Sequence, residues 1–383
     1  MLSIFIPTLE NKEFEFSKYG KIFSQIGIYL INGTTHIRSD MTMKKHVHLL
    51  ALLCVLILGF VFITGCTDTQ GTEKTTVVPS SANGNEQILR VGYQPSTHQI
   101  AFTTALDKGF YMDELKDQGI ASIVEYQFGS GAPEMQAMMA GELDFAYVGS
   151  PPFITAVSNG LGGKIIAGVQ TQGSDLVLRN DAPYVGPEDL KGLRIATFTA
   201  GTIQDTMLRD WLSSHGINPD TDVEISGMGP GDATTAMLAG QVDAVFLPHP
   251  SPVTITDADA GRIIVQSGEM MPNHACCVLV ASDNMIQNHP EIVAAFLKGH
   301  MVGTEYSIEH PEESAAIMSV YTGQEESVIL RSLEVWDGSW VSNPHIVYPS
   351  VMQYVDMQEA LGYLTEHVND DQVFDMTFWD NFQ

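Results

Sequence analysis

Along the first half of the chain, the hydrophobic and polar residues follow two patterns that alternate, one typical of strands and one typical of helices. Apolar runs of strand length, such as ILRVGY at 88–93, lead into small polar residues and then into segments with apolar residues at helical spacing. The same order returns at 192–217, where Leu-Arg-Ile-Ala-Thr precedes a polar loop and an amphipathic segment ending in His-Gly-Ile. The pattern predicts strand–loop–helix units that are used more than once.

A second repeat supports a duplicated module. AMMAGELD at 137–144 and AMLAGQVD at 236–243 share one pattern, in which a helix ends at a glycine and a strand follows. Each copy closes a β-α-β-α-β unit, which predicts an α/β fold of two lobes, each a mostly parallel sheet flanked by helices. We interpret the recurring Asp144 and Asp243 as structural residues, because an aspartate before a strand more often has that role.

The loops after the strands are the expected binding surface, because ligands of such sheets bind outside the carboxyl ends of the strands. These loops are 94–98, 130–133 and 149–152 in the first module, and 199–202, 229–232 and 248–252 in the second. Two modules that face each other would form a cleft between them. Helices start directly after several of these loops, and their free N–H groups would favour an anion.

Several short motifs resemble the type II periplasmic solute-binding proteins of ABC importers, in the branch that binds nitrate, sulfonates, taurine and thiamine precursors. The motifs are Val91-Gly92-Tyr93-Gln94, Gly141-x-x-Asp144 with Gly149-x-Pro151, Asp189-Leu190-Lys191-Gly192, Gly201-Thr202, Gly240-Gln241-Val242-Asp243-Ala244 and His289-Pro290-Glu291. The resemblance covers about residues 88–380. It implies a monomeric receptor that is not an enzyme and needs no cofactor or metal. Such a receptor closes two lobes on a small anion and delivers it to permease subunits with their ATPase.

The resemblance also implies which residues face the ligand. In the first lobe these are Gln94, Ser96, Thr97, His98, Ser130, Gly131, Gly149, Ser150 and Pro151; in the second they are Thr199, Gly201, Thr202, Pro248 and His249. Structural roles stay open for the same residues, because Ser and Thr cap helices and Gly and Pro shape turns. The predicted cleft loops contain no arginine, so the ligand class also stays open.

The chain is predicted to pass between the lobes twice. We place lobe I at 88–182 and 279–383, and lobe II at 183–278. The part after 279 reads as mainly helical, with helices expected at 283–309, 311–336 and about 350–367, and we expect the aromatic tail FDMTFWDNF to pack on the first module.

The charge balance argues against a nucleic-acid partner. The 383 residues carry a formal net charge of −28, and after residue 65 there are 12 Lys and Arg against 42 Asp and Glu. Such a chain would repel a polyanion such as DNA or RNA.

The N-terminal region has the pattern of a lipoprotein signal. Residues 41–65 carry a lysine pair and a short apolar core, and Ile63-Thr64-Gly65-Cys66 resembles a lipobox with Cys66 as the lipidated residue. An uncleaved membrane anchor is the alternative. We read 1–40 as the product of a misassigned start codon or an unstructured leader, and 66–87 as a flexible tether. The protein is therefore expected on the outer face of the cell membrane, attached by a lipid anchor.

Two other functions remain as alternatives. His274-x-Cys276-Cys277, with His249 nearby in the sequence, offers ligands for a soft divalent metal, although the spacing matches no standard zinc pattern. The two cysteines also fit the role of small buried hydrophobic residues. An enzyme related to thiamine-pyrimidine synthesis would resemble this fold, but its iron-linked cysteine cluster has no match here beyond Cys276-Cys277.

Overall fold

The structure is a computed structural model that describes residues 87–382. Four predictions therefore lie outside the described residues: the leader, the signal, the lipidated Cys66 and the tether, of which only the last residue, 87, is described. Among the described residues, no helix combines the length and the apolar character that a membrane crossing requires.

The strands of the described chain are short and fall into two groups. They are β1 (Gln87–Tyr93), β2 (Ile120–Gln127), β3 (Phe145–Gly149), β4 (Gly163–Thr171), β5 (Ser174–Leu178), β6 (Arg194–Thr197), β7 (Glu224–Gly227), β8 (Ala244–Pro248), β9 (Arg262–Gln266), β10 (Ala275–Ser282) and β11 (Ser339–Trp340).

The α-helices occupy the connections between strands and most of the C-terminal part. They are α1 (Ile100–Asp107), α2 (Phe110–Leu115), α3 (Gly131–Met139), α4 (Ser150–Ser158), α5 (Ile203–Ser214), α6 (Pro230–Leu238), α7 (Ser251–Asp257), α8 (Ser267–Met270), α9 (Asp283–Asn288), α10 (Pro290–Glu309), α11 (Pro311–Thr322), α12 (Glu326–Val335), α13 (Pro344–Ala360), α14 (Asp370–Val373) and α15 (Thr377–Asp380). Short 3-10 turns at Thr97–Gln99 and Pro187–Leu190 precede α1 and β6.

The strands form two separate sheets, one in each lobe. The first has the order β11-β4-β10-β3-β1-β2 and the second has the order β7-β6-β8-β5-β9. In each, the three strands of the repeated module pair in parallel, and the added strands pair antiparallel. The predicted two-lobed α/β class is confirmed, but the sheets are mixed rather than mostly parallel, because β5 and β10 enter them after the chain has crossed between lobes.

The aspartate of the repeated motif joins the first and last strands of each module. Asp144 accepts hydrogen bonds from the backbone N and the guanidinium of Arg90, with Nη2 2.8 Å from Oδ1. Asp243 accepts the equivalent bonds from Arg194, with Nη2 2.9 Å from Oδ1. Each pair joins the strand that opens a module to the strand that closes it, so both aspartates have the structural role expected for them.

The crossings between lobes differ from the predicted positions. β5 starts at Ser174 and already belongs to the second sheet, while β10 starts at Ala275 and already belongs to the first. The lobe boundaries expected at 182–183 and 278–279 therefore both lie too late in the chain. Only residues 172–173 separate β4 from β5, so the sequence offers no obvious linker there, whereas the Pro- and Gly-containing stretch near 183–192 resembles one.

The C-terminal helices complete the first lobe and reach the second. Phe296 on α10 stacks between Tyr111 and Phe145, with ring centroids 4.4 and 4.1 Å away. The aromatic tail packs on the first lobe as predicted, since the backbone N–H of Asp375 donates to the Ile165 carbonyl of β4 and Trp379 is buried in the core. Helix α12 packs against α7 of the second lobe.

Candidate ligand-binding cleft

A cavity of about 640 Å³ lies between the two lobes. We call it the interlobe cavity. All six predicted loops, or residues adjacent to them, contribute to its wall. Its volume falls in the range of small-molecule sites, roughly 300–1,000 Å³. The carboxyl ends of both repeated modules therefore meet at one ligand-sized space.

The segment after β1 is held in place by buried hydrogen bonds. Gln94 lines the cavity; its backbone N–H donates to Gln99 Oε1 over 2.6 Å, and its side-chain Nε2 donates to Glu134 Oε2 over 2.9 Å. Glu134 is completely buried, and burial raises its pKa well above the ordinary value. The buried carboxyl of Glu134 thus supports this wall beneath Gln94.

His249 joins three parts of the chain at another wall. Its Nε2 lies 2.8 Å from Asp175 Oδ2, its Nδ1 lies 2.5 Å from Ser332 Oγ, and all three side chains are buried. Its carbonyl oxygen accepts a hydrogen bond from Thr97 Oγ1 over 3.1 Å. Because both ring nitrogens are engaged, His249 presents the face or edge of its ring to the cavity rather than a free nitrogen.

The second lobe contributes the start of a helix. Gly229, Pro230, Gly231 and Asp232, at the N-terminus of α6, line the cavity. Gln204 of α5 also lines it, and its Nε2 donates to Ser174 Oγ over 3.0 Å. The N–H groups of a helix start and a neighbouring amide are donors suited to an anionic group.

The acidic residues Asp232 and Glu325 also line the cavity. No lysine or arginine occurs among the described residues that line it. An anionic group there would therefore depend on uncharged donors and helix ends.

The cysteine pair lies in the same wall. Cys276 and Cys277 are the second and third residues of β10 and line the cavity together with His98, and all three are buried. Cys276 Sγ lies 3.1 Å from His98 Nδ1, and Gln99 Nε2 lies 3.6 Å from Cys277 Sγ. Burial raises the pKa of Cys276, whereas the neighbouring Cys276 thiol lowers that of Cys277.

Part of the predicted residue set lines the interlobe cavity. These residues are Gln94, Ser96, His98, Gly149, Pro248 and His249. At Gly149 the lobes approach closely, since a Cβ there would lie 2.9 Å from Ile203 Cδ1 of the other lobe.

The other predicted residues have different surroundings. Gly201 and Thr202 line a smaller cavity of about 290 Å³ between α3, α4 and the start of α5. Thr202 caps α5, its Oγ1 accepting from the Asp205 N–H and donating to the Thr199 carbonyl. The remaining members, which line neither of these two cavities, are Thr97, Ser130, Gly131, Ser150, Pro151 and Thr199.

Several cavity residues were missed from the sequence. They include Gln204, Thr254, Gln324, Glu325 and Val328. Ser251 lies in the predicted loop 248–252 but was not among the predicted site residues, and the cysteine pair was predicted only as part of a metal site. Gln324 and Glu325 lie in a break between α11 and α12, whereas one continuous helix was expected there. Gly323, which ends α11 with a positive φ of 70°, was the available signal.

Comparison with known proteins adds to this geometry. A sequence model described as the NMT1-like family matches residues 82–321. The chain belongs to the NMT1-like family. The predicted resemblance to periplasmic solute-binding proteins is confirmed, because relatives of this NMT1-like chain are named as binding proteins of that kind. The taurine-binding periplasmic protein of Escherichia coli K12 is 27% identical over 226 residues, covering 58% of this chain and 68% of that protein.

Solved structures show the same fold. The alkanesulfonate-binding protein SsuA from Xanthomonas axonopodis pv. citri, bound to MOPS, superposes on this NMT1-like chain with a TM-score of 0.66 at 19% identity. The superposition covers 77% of this chain and 99% of SsuA. The periplasmic nitrate-binding protein NrtA from Synechocystis PCC 6803 gives 0.68 at 17% identity, covering 77% and 88%.

Proposed function

We propose that this chain is the extracytoplasmic solute-binding component of an ABC importer. It captures a small anionic solute between its lobes and delivers it to permease subunits coupled to an ATPase. The observation that carries the proposal is the interlobe cavity, to which the carboxyl ends of both repeated modules contribute. Membership of the NMT1-like family and the likeness to sulfonate-, nitrate- and taurine-binding proteins support it. We further propose that the chain acts as a monomer, is held at the membrane by a lipid on Cys66, and has no enzymatic role.

Size and charge narrow the solute. A space of about 640 Å³ favours an organic anion over an ion as small as nitrate. The start of α6 suits a sulfonate or carboxylate, while Asp232 and Glu325 suit an ammonium group. An amino-sulfonate of the taurine kind combines both groups, so we place it first among the candidate solutes.

Hinge closure is the proposed mechanism. The chain crosses between the lobes at 172–173 and again at 271–274. The carboxylate of Asp337 accepts hydrogen bonds from the N–H of Gly173 over 2.8 Å and of Gly268 over 2.7 Å, beside both crossings. Two short crossings with a common support allow one lobe to rotate on the other, and a solute that bridges the lobes would favour the closed state.

A binding screen tests the proposal. The full chain, purified in mild detergent, is titrated calorimetrically with taurine, ethanesulfonate, nitrate and bicarbonate, and closure is followed by small-angle scattering. We expect taurine to bind and to reduce the radius of gyration. Absence of binding by every one of these anions would overturn the proposed function.

Two variants on one helix locate the site. Gln204→Ala removes an amide from the interlobe cavity, and we expect about tenfold weaker binding, the effect of one lost hydrogen bond. Thr202→Ala, at the N-cap of the same helix, removes a capping side chain that lines the smaller cavity, so we expect lower stability but unchanged affinity. The reverse result would place the solute at the smaller cavity and make Thr202 a ligand.

A further inference from the structure

Three soft donor atoms lie together in the wall of the interlobe cavity. They are a ring nitrogen of His98 and the Sγ atoms of Cys276 and Cys277, all within 4.8 Å of one another. Their side chains are buried in the fold and still line the cavity. Capture of an anion by helix N–H groups and amides makes no use of this cluster.

A β-bulge explains how two adjacent thiols reach one side of a strand. Along β10, Ala275 pairs with Thr171 of β4, and Cys277 pairs with the adjacent residue, Gln170. Cys276 is therefore one extra residue inserted into β10 at this point. In a regular strand, successive side chains point to opposite faces. A bulge re-aims a side chain, and here it lets both thiols converge on His98.

The imidazole of His98 is oriented so that Nδ1, the nitrogen without a proton, faces the thiols. Its Nε2 lies 2.6 Å from the Gly173 carbonyl oxygen, which can only accept, so Nε2 carries the proton and donates. The lone pair of Nδ1 therefore points toward Cys276 Sγ, 3.1 Å away. Metal-bound histidines are commonly held by such a bond from the second ring nitrogen to a carbonyl.

We propose that His98 Nδ1, Cys276 Sγ and Cys277 Sγ bind one divalent cation of the Zn²⁺ type. Zn–S bonds of about 2.3 Å and Zn–N bonds of about 2.0 Å give tetrahedral ligand separations of about 3.5–3.8 Å, which the cluster accommodates. Both thiols release their protons to solvent on binding. Three protein ligands leave the fourth position open toward the cavity. Because the cation alone is the probe, this proposal stands independently of the proposed anion.

The nitrogen ligand differs from the two that the sequence suggested. The Nδ1 atom of His274 lies 3.0 Å from Tyr354 Oη and 3.1 Å from its neighbour's carbonyl oxygen, and His249 is bonded through both ring nitrogens to Asp175 and Ser332. Among the described His, Cys, Asp and Glu residues, only His98 joins the cysteine pair in a group with metal-binding geometry. His274 therefore provides a control variant.

A metal titration on the full chain tests the site. Cys54→Ser and Cys66→Ser remove the other two cysteines of the sequence, and this background is kept under a phosphine reductant. Zn²⁺ is titrated against a chromophoric chelator, Co²⁺ reports thiolate ligation by its charge-transfer absorption, and Mg²⁺ is the hard-cation control. We expect one Zn²⁺ per chain and a thiolate–Co²⁺ band.

Variants in the same background separate the ligands from their neighbours. We expect Cys276→Ser with Cys277→Ser to weaken Zn²⁺ binding at least about 100-fold and His98→Gln at least about tenfold, since loss of groups that merely support metal ligands already costs about 10–100-fold. His274→Gln should leave the affinity unchanged. Unchanged Zn²⁺ affinity in the double serine variant would overturn the proposal, as would a Co²⁺ complex without the band.

A second measurement needs no variant of the cluster. Bound Zn²⁺ should slow the alkylation of Cys276 and Cys277, and Mg²⁺ should not. Equal alkylation rates with both cations would also refute the site. Either failure leaves the anion titration unaffected, so the two proposals are judged separately.

Discussion

Asp243 offers a direct test of how the duplicated module is held together. Its carboxylate accepts hydrogen bonds from the backbone N, Nε and Nη2 of Arg194, and from Arg179 Nη1 over 2.8 Å. These bonds lower the pKa of Asp243 from 3.8 to about 2, with the Arg194 side chain as the main cause. Asp243→Asn keeps the shape of the side chain and removes its charge.

The shift in pKa sets the size of the effect. At about 1.4 kcal/mol per pKa unit, a change from 3.8 to about 2 corresponds to roughly 2.5 kcal/mol. Solvent screens part of this, because the side chains of Arg194 and Arg179 are 41% and 43% exposed. We therefore expect Asp243→Asn to lower the free energy of unfolding by about 1–2 kcal/mol at pH 7.

The pH dependence follows from the sign of the shift. A carboxyl with a lowered pKa in the folded state stabilises the fold above its unfolded pKa, and this contribution is lost as pH falls through the folded value. The difference between the two proteins should thus be constant above about pH 5. It should shrink between about pH 4 and pH 2, as far down as the folded state persists.

Urea unfolding followed by tryptophan fluorescence measures this difference, with the buried Trp211 reporting on the second lobe. Asp356→Asn, at an exposed position of α13, is the matched control and should change nothing. Equal stability of Asp243→Asn and the unmodified chain at pH 7 would refute the reasoning, and so would a gap that persists unchanged near pH 3.

Three further predictions use the same unfolding assay. Asp337→Asn should lower stability by about 1.5–3 kcal/mol, because it weakens two charge-assisted bonds beside the lobe crossings; an unchanged unfolding midpoint would contradict this. Gly303→Val should cost about 1–3 kcal/mol, since even a Cβ there would overlap Ala105; unaltered stability would show that the helices yield without cost. Glu134→Gln, which can keep the bond from Gln94, should raise stability at pH 7, because burial raises the pKa of Glu134 and the stability of the unmodified chain falls as pH rises above about 4.5. The gain should vanish at about pH 4.5, and a gain that is the same at both pH values would contradict a raised pKa of Glu134.

Most helices and strands of the fold are predictable from local sequence patterns. The repeated Ala-Met-x-Ala-Gly segment was identified from the sequence because helix spacing, a helix-ending glycine and a strand follow one another within a few residues. The crossings were misplaced because the pairing of β5 and β10 depends on contacts with strands far away in the chain. A two-residue connection such as 172–173 carries no local signal of a change of lobe.

The same distinction applies to the site. The loops at the strand ends were predicted as cavity walls, and residues in or adjacent to each of them do line the cavity. The convergence of His98 with Cys276 and Cys277 could not be predicted, because it depends on a bulge in β10 and on a segment 178 positions earlier in the chain. Glu325 was missed because the helix break that exposes it to the cavity lay inside a segment read as one helix.

The position of β10 also sets an order for assembly during synthesis. It lies between β4 and β3 in the first sheet, yet it leaves the ribosome only after the whole second lobe, which is contiguous in sequence from β5 to β9. The second lobe can therefore form early from a continuous stretch, whereas β3 and β4 must wait with unpaired edges until β10 arrives. Exposed strand edges favour pairing with other chains. This protein is therefore most prone to aggregate during synthesis, in the period before β10 has paired with β3 and β4.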